Sequence, residues 1–335
     1  MVAAPSVSRS AMGGPRPLNL NRDVPQVMAL LDLVFRPTLD AEGRQLLNSS
    51  MALSNQPQFL LRFNQLTKGV APGFVWDEER RVVGNISLLT TKAADRFLIA
   101  NVAVHPDFRR RGIARQLMVH TLDYLRGIGA RVVLLQVKQQ NHAAQQLYLD
   151  LGFAIIGDVT SWQGNPRSLR IPAAAPHIPE LRLLRRGDWP AVRHLDESSA
   201  PPDLTWPEPL AADAYRSSLR QKLTGLFNGQ QAETWIAAAP DGTLLGLGRI
   251  DSEVGRPYRL RVRVHPEERG VLERKLLAKL LRRLELQRRR QMKIDHPTAD
   301  ETMNQLLREA NFRVRHVLTT MKLDLSTAGG AHAAK

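Results

Sequence analysis

Residues 101–118 read Asn-Val-Ala-Val-His-Pro-Asp-Phe-Arg-Arg-Arg-Gly-Ile-Ala-Arg-Gln-Leu-Met. The apolar run to Val104 predicts a strand, His105-Pro106 breaks it, and Ile113, Leu117, Leu122 and Leu125 recur at helical spacing from Gly112 onward. A strand that turns through Arg109, Arg110 and Arg111 into a helix aims free backbone N–H groups and the positive end of a helix dipole at one spot. That arrangement suits an anion, and a pyrophosphate would fit. Gly112 lets the backbone come close without a Cβ in the way, and Ala114 keeps the first turn slim. By itself the string is equally consistent with a solvated positive loop.

A second stretch changes that balance. Beyond another apolar strand, with its Gly152 forty residues after Gly112, the chain reads Asn141-His-Ala-Ala-Gln-Gln-Leu147-Tyr148-Leu-Asp-Leu151-Gly152-Phe153. Together the two stretches resemble the GCN5-related N-acetyltransferase (GNAT) superfamily, whose motifs are Arg/Gln-x-x-Gly-x-Gly/Ala and Asn…Ala…Leu-Tyr-x-x-Leu-Gly-Phe. The likeness is close over Leu98–Phe153 and loose before it. It implies acetyl-CoA, or another acyl-CoA, as the cofactor. It also implies that Val102, Ala103 and Val104 supply main-chain contacts to the pantetheine arm in the manner of an added strand. By the same likeness the turn Arg109, Arg110, Arg111, Gly112, Ile113 and Ala114 holds the pyrophosphate, and Asn141 bonds the arm.

The resemblance gives Tyr148 a chemical role. An amine attacking a thioester expels a thiolate, and a phenol of ordinary pKa near 10 held within reach can protonate it. The Val102 N–H is the expected donor to the developing oxyanion. Read without the motif, Tyr148 is a half-buried aromatic between Leu147 and Leu151 that anchors its helix. No general base is legible: His105, Asp95 and His142 are candidates, His105 reads as a turn residue, and a water chain serves as well. No metal is expected.

The same layout recurs. Asp23-Val-Pro-Gln-Val answers to Asp188-Trp-Pro-Ala-Val at an offset of 165, Val83-Gly84 to Leu245-Gly246 at 162, Val102…His105-Pro106 to Val262…His265-Pro266 at 160, and Phe153 to Phe312 at 159. Four marks in one order predict one fold used twice. The expected organisation is a disordered N-terminus over 1–15, a catalytic domain over 16–172, a Pro/Ala-rich linker over 173–178, a degenerate copy over 179–325 and a disordered tail over 326–335. The first copy predicts a strand at 17–20, a helix at 23–35 and helical residues around 40–66. A hairpin (74–76 and 82–89), a strand at 97–104, a helix at 112–127, a strand at 132–137, a helix at 142–150 and a strand from 153 follow. Interleaved strands and helices predict an α/β layered class, two GNAT-like domains each with a mixed, mostly antiparallel sheet flanked by helices.

The second copy has lost the motif. His265 to Gly270 is five residues where His105 to Gly112 is seven, and Glu267 and Glu268 precede the glycine, opposing an anion. Leu307, Asn311 and Asp300 stand where Tyr148, Gly152 and Asn141 stand in the first. Its expected role is structural.

Composition sets the outer limits. The chain has 335 residues, 43% hydrophobic and 24% charged, ordinary for a globular protein of two domains, and no cysteine, which excludes disulfides, Cys-bound metal and thiol nucleophiles. No signal peptide or membrane span is visible, and a cytoplasmic location is expected. The net charge of +15 is shared evenly by the halves. Leucines 272, 276, 280 and 284 amid arginines read as an amphipathic helix, so nucleic acid is not an expected partner.

The leading expectation is an acyl-CoA-dependent N-acetyltransferase using direct attack by a small-molecule or peptide amine. A non-catalytic acyl-CoA or polyanion-binding module, or a protein N-terminal or lysine acetyltransferase, is the alternative. The expected assembly is a monomer with an internal pseudo-dimer, or a homodimer.

Overall fold

A computed structural model describes residues 13–38, 44, 48, 72–91, 93–173, 181–185, 187–199 and 230–326. The helical stretch expected around 40–66, the linker from 174 and the tail beyond 326 lie almost entirely outside the described residues. Those described fall into two compact units, one drawn from positions up to 136, from 146–154 and from 322 onward, the other from 137–145 and 155–321.

In the first unit β1 (Gly14–Pro17) is followed by α1 (Val24–Phe35), then by β2 (Gly73–Glu78), β3 (Arg81–Thr90) and β4 (Arg96–Val104). After α2 (Ile113–Gly127) come β5 (Val132–Lys138) and α3 (His142–Asp150). The sheet order is β1-β2-β3-β4-β5, antiparallel except for the parallel pair β4/β5. The first strand lies at 14–17, not 17–20, so positions 14 and 15 belong to the sheet. Pro15 and Pro17 have no N–H to donate, which suits an edge strand.

The strand alternation sends successive side chains to opposite faces. Val75, Val82 and Ala103 pack with Val24, Val27, Leu30 and Leu31 of α1. On the other face a Cβ at Gly84 would stand 2.9 Å from Leu117 Cδ1 and 3.1 Å from Ile113 Cγ2, so only glycine lets α2 approach so closely. The repeated glycine, Gly246, meets Leu276 Cδ1 at 3.0 Å in the same way.

The second unit holds β6 (Ala154–Gly164), β7 (Arg182–Leu183), α4 (Trp189–Ser199), β8 (Gln230–Ala238), β9 (Leu244–Glu253) and β10 (Tyr258–Val264). It continues with α5 (Leu272–Glu285), β11 (Met292–Pro297), α6 (Glu301–Glu309) and β12 (Arg313–Asp324). The order is β12-β6-β11-β10-β9-β8-β7, with β10/β11 parallel. Leu272, Leu276, Leu280 and Leu284 of α5 are all buried in its core, as their spacing predicts.

The units do not coincide with the sequence copies. β6, the last strand of the first copy, pairs antiparallel with β11 of the second, Thr160 facing His296. Reciprocally, the Gln139 N–H donates to the Val317 carbonyl at 3.0 Å, and the Thr298 N–H to the Asp158 carbonyl at 2.9 Å. Gln139 and Thr298 are 159 positions apart, as are Asp158 and Val317. Each copy has exchanged its last strand with the other.

Candidate active site

The turn after β4 is fastened by its own side chains. The His105 ring is held at both nitrogens, receiving the Asp107 N–H at Nδ1 (3.3 Å) and meeting Arg81 Nη2 at Nε2 (3.0 Å), which is the work of a turn residue. Arg109 Nε donates to the Val104 carbonyl at 3.3 Å, and the Arg111 guanidinium lies 4.8 Å from the centre of the Phe108 ring. Arg110 and Gly112 both take positive φ, 62° and 76°. Gly112 is the N-cap of α2, and a Cβ there would meet nothing nearer than Gln116 Nε2 at 3.5 Å. Its φ therefore favours glycine, and the space before it is open. Among the described residues the N–H groups of residues 110–115 meet no acceptor. A cluster of unmatched donors at a helix N-terminus, with Arg109, Arg110 and Arg111 around it, fits an anionic diphosphate.

β4 and β5 pair only over Arg96–Ile99 and Val132–Leu135, leaving Ala100–Val104 without partners on β5. On its other side β4 carries a bulge. Ser87 faces Ala100 and Asn85 faces Ala103, so Asn101 and Val102 together oppose Ile86, and Asn101 sits at φ 53°. Val102 and Val104 are half-buried, whereas the Ala103 side chain lies in the α1 core.

Tyr148 is buried, its ring centre 6.0 Å from that of Phe153, and burial pushes its hydroxyl up to about 12, so it keeps its proton at neutral pH. Arg115 in the first turn of α2 stands 3.5 Å from Asp150, tying that turn to the end of α3. Asn141 falls in the other unit. There it caps α3, its Oδ1 receiving the Ala144 N–H at 3.3 Å, as Asp300 caps α6 by receiving the Met303 N–H at 3.1 Å. Asp95 lies 3.7 Å from Arg131, and His142 is exposed at the start of α3. Among the described residues no group of three or more His, Cys, Asp or Glu could hold a metal ion.

The corresponding turn of the second copy is closed by a residue that sequence reasoning missed. Leu272 and Leu276 meet Gly246 as Ile113 and Leu117 meet Gly84, which places Glu273 where Ala114 stands. Glu273 is buried, and its Oε2 receives the Gly270 N–H at 2.8 Å. Glu267, held responsible from sequence, is exposed on the short helical turn Pro266–Glu268. The signal was available: a glutamate directly after the first apolar residue of an amphipathic helix reaches back to an N-terminal N–H.

Fold and turn together define an α/β protein with its layout used twice and an anion-suited turn in the first copy. Residues 42–153, about a third of the chain, match the acetyltransferase (GNAT) family. It is 42% identical over 65 residues to the ribosomal protein bS18-alanine N-acetyltransferase of Salmonella typhimurium, covering 19% of this chain and 44% of that one. The protein of that name from Escherichia coli K12 is 32% identical over 100 residues, 30% of this chain and 59% of that one. The L-amino acid N-acyltransferase MnaT of Escherichia coli K12 is 30% identical over 96 residues, 28% and 56% of the two chains. The chain thus matches about half the length of these curated relatives. The tandem GNAT protein from the clavulanic acid biosynthesis pathway superposes with a TM-score of 0.59 at 20% identity, over 93% of this chain and 98% of that one. A GCN5-related N-acetyltransferase from Sphaerobacter thermophilus gives 0.63 at 14% identity, over 93% and 96%. At such identities the likeness is one of fold, and both cover the two copies.

Proposed function

We propose that the chain is an N-acetyltransferase whose first copy binds acetyl-CoA, or another acyl-CoA, and passes the acyl group to an amine, the second copy being structural. The observation that carries this reading is the row of unmatched N–H groups at residues 110–115 beside Gly112 and three arginines. The bound thioester would supply an activated acyl group. The open backbone of Val102 and Val104 would align the arm beside β4. The Val102 N–H donates to the oxygen on which negative charge develops, a contribution of about 3 kcal/mol. As the carbon–nitrogen bond forms and the carbon–sulfur bond breaks, Tyr148, kept protonated by burial, delivers its proton to the departing sulfur, and the proton lost by the amine passes to water, from which Tyr148 is reprotonated. The relatives' names point to an α-amino group, of a peptide or of an amino acid, as the acceptor. A cytoplasmic location fits such acceptors.

Calorimetric titration with acetyl-CoA, followed by thiol release with a panel of peptide N-termini and amino acids, tests the reading. One equivalent bound and thiol released with an α-amine is expected. No binding at millimolar acetyl-CoA overturns it, and binding without thiol release from any amine leaves a non-catalytic acyl-CoA module.

A further inference from the structure

Asn85, on β3, is fully buried and its hydrogen bonds are one-sided. Its Nδ2 donates to the Asn101 carbonyl at 2.9 Å and to Ser87 Oγ at 3.3 Å, and Asn101 Nδ2 donates to the same hydroxyl at 3.2 Å. Its Oδ1 is buried and meets no partner. A buried orphan acceptor is costly, so the donor half of this side chain is what the position retains.

The second copy supplies a control within the same molecule. Asn85 faces Ala103 one step from the Gly84/Val104 pair, and Leu247 faces Arg263 one step from Gly246/Val264. Leu247 is just as buried, packed with Val192, Leu195 and Ile236. There the β9/β10 ladder runs from Arg259 to Val264 without a shift of register. The fold accepts leucine at this position when the strand is regular; asparagine accompanies the bulge.

The peptide unit joining Asn101 to Val102 is planar and trans, so its carbonyl and N–H point in opposite directions. With the Asn101 carbonyl held by Asn85 on the β3 side, the Val102 N–H is turned away from β3, toward the edge where β4 has parted from β5. We propose that Asn85 is a positioning residue that clamps the bulge and thereby presents the Val102 N–H to the acyl oxygen of the thioester. This rests on the acyl-CoA reading given above.

The test is titration of the full chain with acetyl-CoA and with free CoA, which lacks the acyl oxygen. In Asn85→Ala the preference for acetyl-CoA over CoA falls about fivefold, the worth of one hydrogen bond, with CoA affinity unchanged. Adding Asn101→Gly restores it, because glycine takes positive φ without a clamp; a change at 101 would not refill a cavity left at 85. Ser87→Ala, which removes only the shared hydroxyl, shifts the preference the same way and stands in if Asn85→Ala fails to fold. Unchanged preference in a folded Asn85→Ala or in Ser87→Ala overturns the positioning role alone. A wild type that binds no acetyl-CoA overturns the acyl-CoA reading and this role with it.

Discussion

Gln145 and Asn304 stand 159 positions apart and make the same pair of hydrogen bonds. Gln145 Nε2 donates to the carbonyls of Lys138 (3.3 Å) and Gln139 (2.9 Å), and Asn304 Nδ2 to those of Pro297 (3.0 Å) and Thr298 (3.1 Å). Each ties its helix to the end of the strand before it. Each also reaches the exchanged strand, Gln145 at Thr319 Oγ1 (3.5 Å) and Asn304 through its Oδ1, which receives Trp162 Nε1–H at 2.9 Å.

The Trp162 bond is buried, and replacing the indole leaves the Asn304 oxygen without its donor. Trp162→Phe is expected to destabilise the protein by about 2 kcal/mol, from the lost hydrogen bond and the lost volume. A melting curve against the wild type checks this, and Trp162→Phe melting unchanged would contradict it.

Gly112 sits at φ 76° with open space before it, so a methyl group there strains the backbone without a clash. Gly112→Ala should cost about 1 kcal/mol of stability and weaken acetyl-CoA roughly tenfold by standing over the turn. Calorimetry measures the second effect.

Tyr148→Phe keeps the ring and removes only the proton donor. Turnover should fall about a hundredfold with acetyl-CoA affinity unchanged. Because burial pushes this hydroxyl up to about 12, the wild-type rate should show no fall from its ionisation between pH 7 and 10. Steady-state kinetics over that range tests both statements.

Asp23 is wholly buried at the start of α1. Burial opposes its ionisation, but Arg16, bonded to it through Nη2 at 2.9 Å, and the Asn19 N–H outweigh that and hold its carboxyl below the ordinary range. A carboxyl lowered by folding contributes stability above its unfolded pKa and loses it as pH falls through the folded value. The wild type should therefore lose stability below about pH 4 more steeply than Asp23→Asn. Melting temperatures from pH 6 to pH 3 give the slopes.

Glu273 has the opposite sign. Burial raises its pKa, so the fold disfavours its charge above the folded value and not below the unfolded one. Glu273→Gln keeps an acceptor for the Gly270 N–H and should raise the melting temperature at pH 8, with the gain gone at pH 4. A gain equal at both pH values would rule out the buried charge as its cause.

The sequence announced the layers, the duplication and the glycine-capped turn before α2 because each depends on local chemistry. Apolar spacing marks α2 and α5, glycine marks the close approach at 84 and 246, and Arg109–Gly112 marks a helix start. The bulge at Asn101 was written only as a drift in offset, since Phe97 pairs like Tyr258 but Val102 answers to Val262, one residue being absent from the second copy. The strand exchange was not legible. Swapping two strands of like pattern leaves the alternation of apolar residues unchanged, and partner choice is set by long-range pairing that no local window carries.

That exchange bears on how the protein would respond to a cut. Severing the backbone between the halves would break one covalent link and none of the β6/β11 ladder, so the fragments would remain hooked through each other's strands. Neither fragment, released, would keep the hydroxyl or indole that its own Gln145 or Asn304 reaches for.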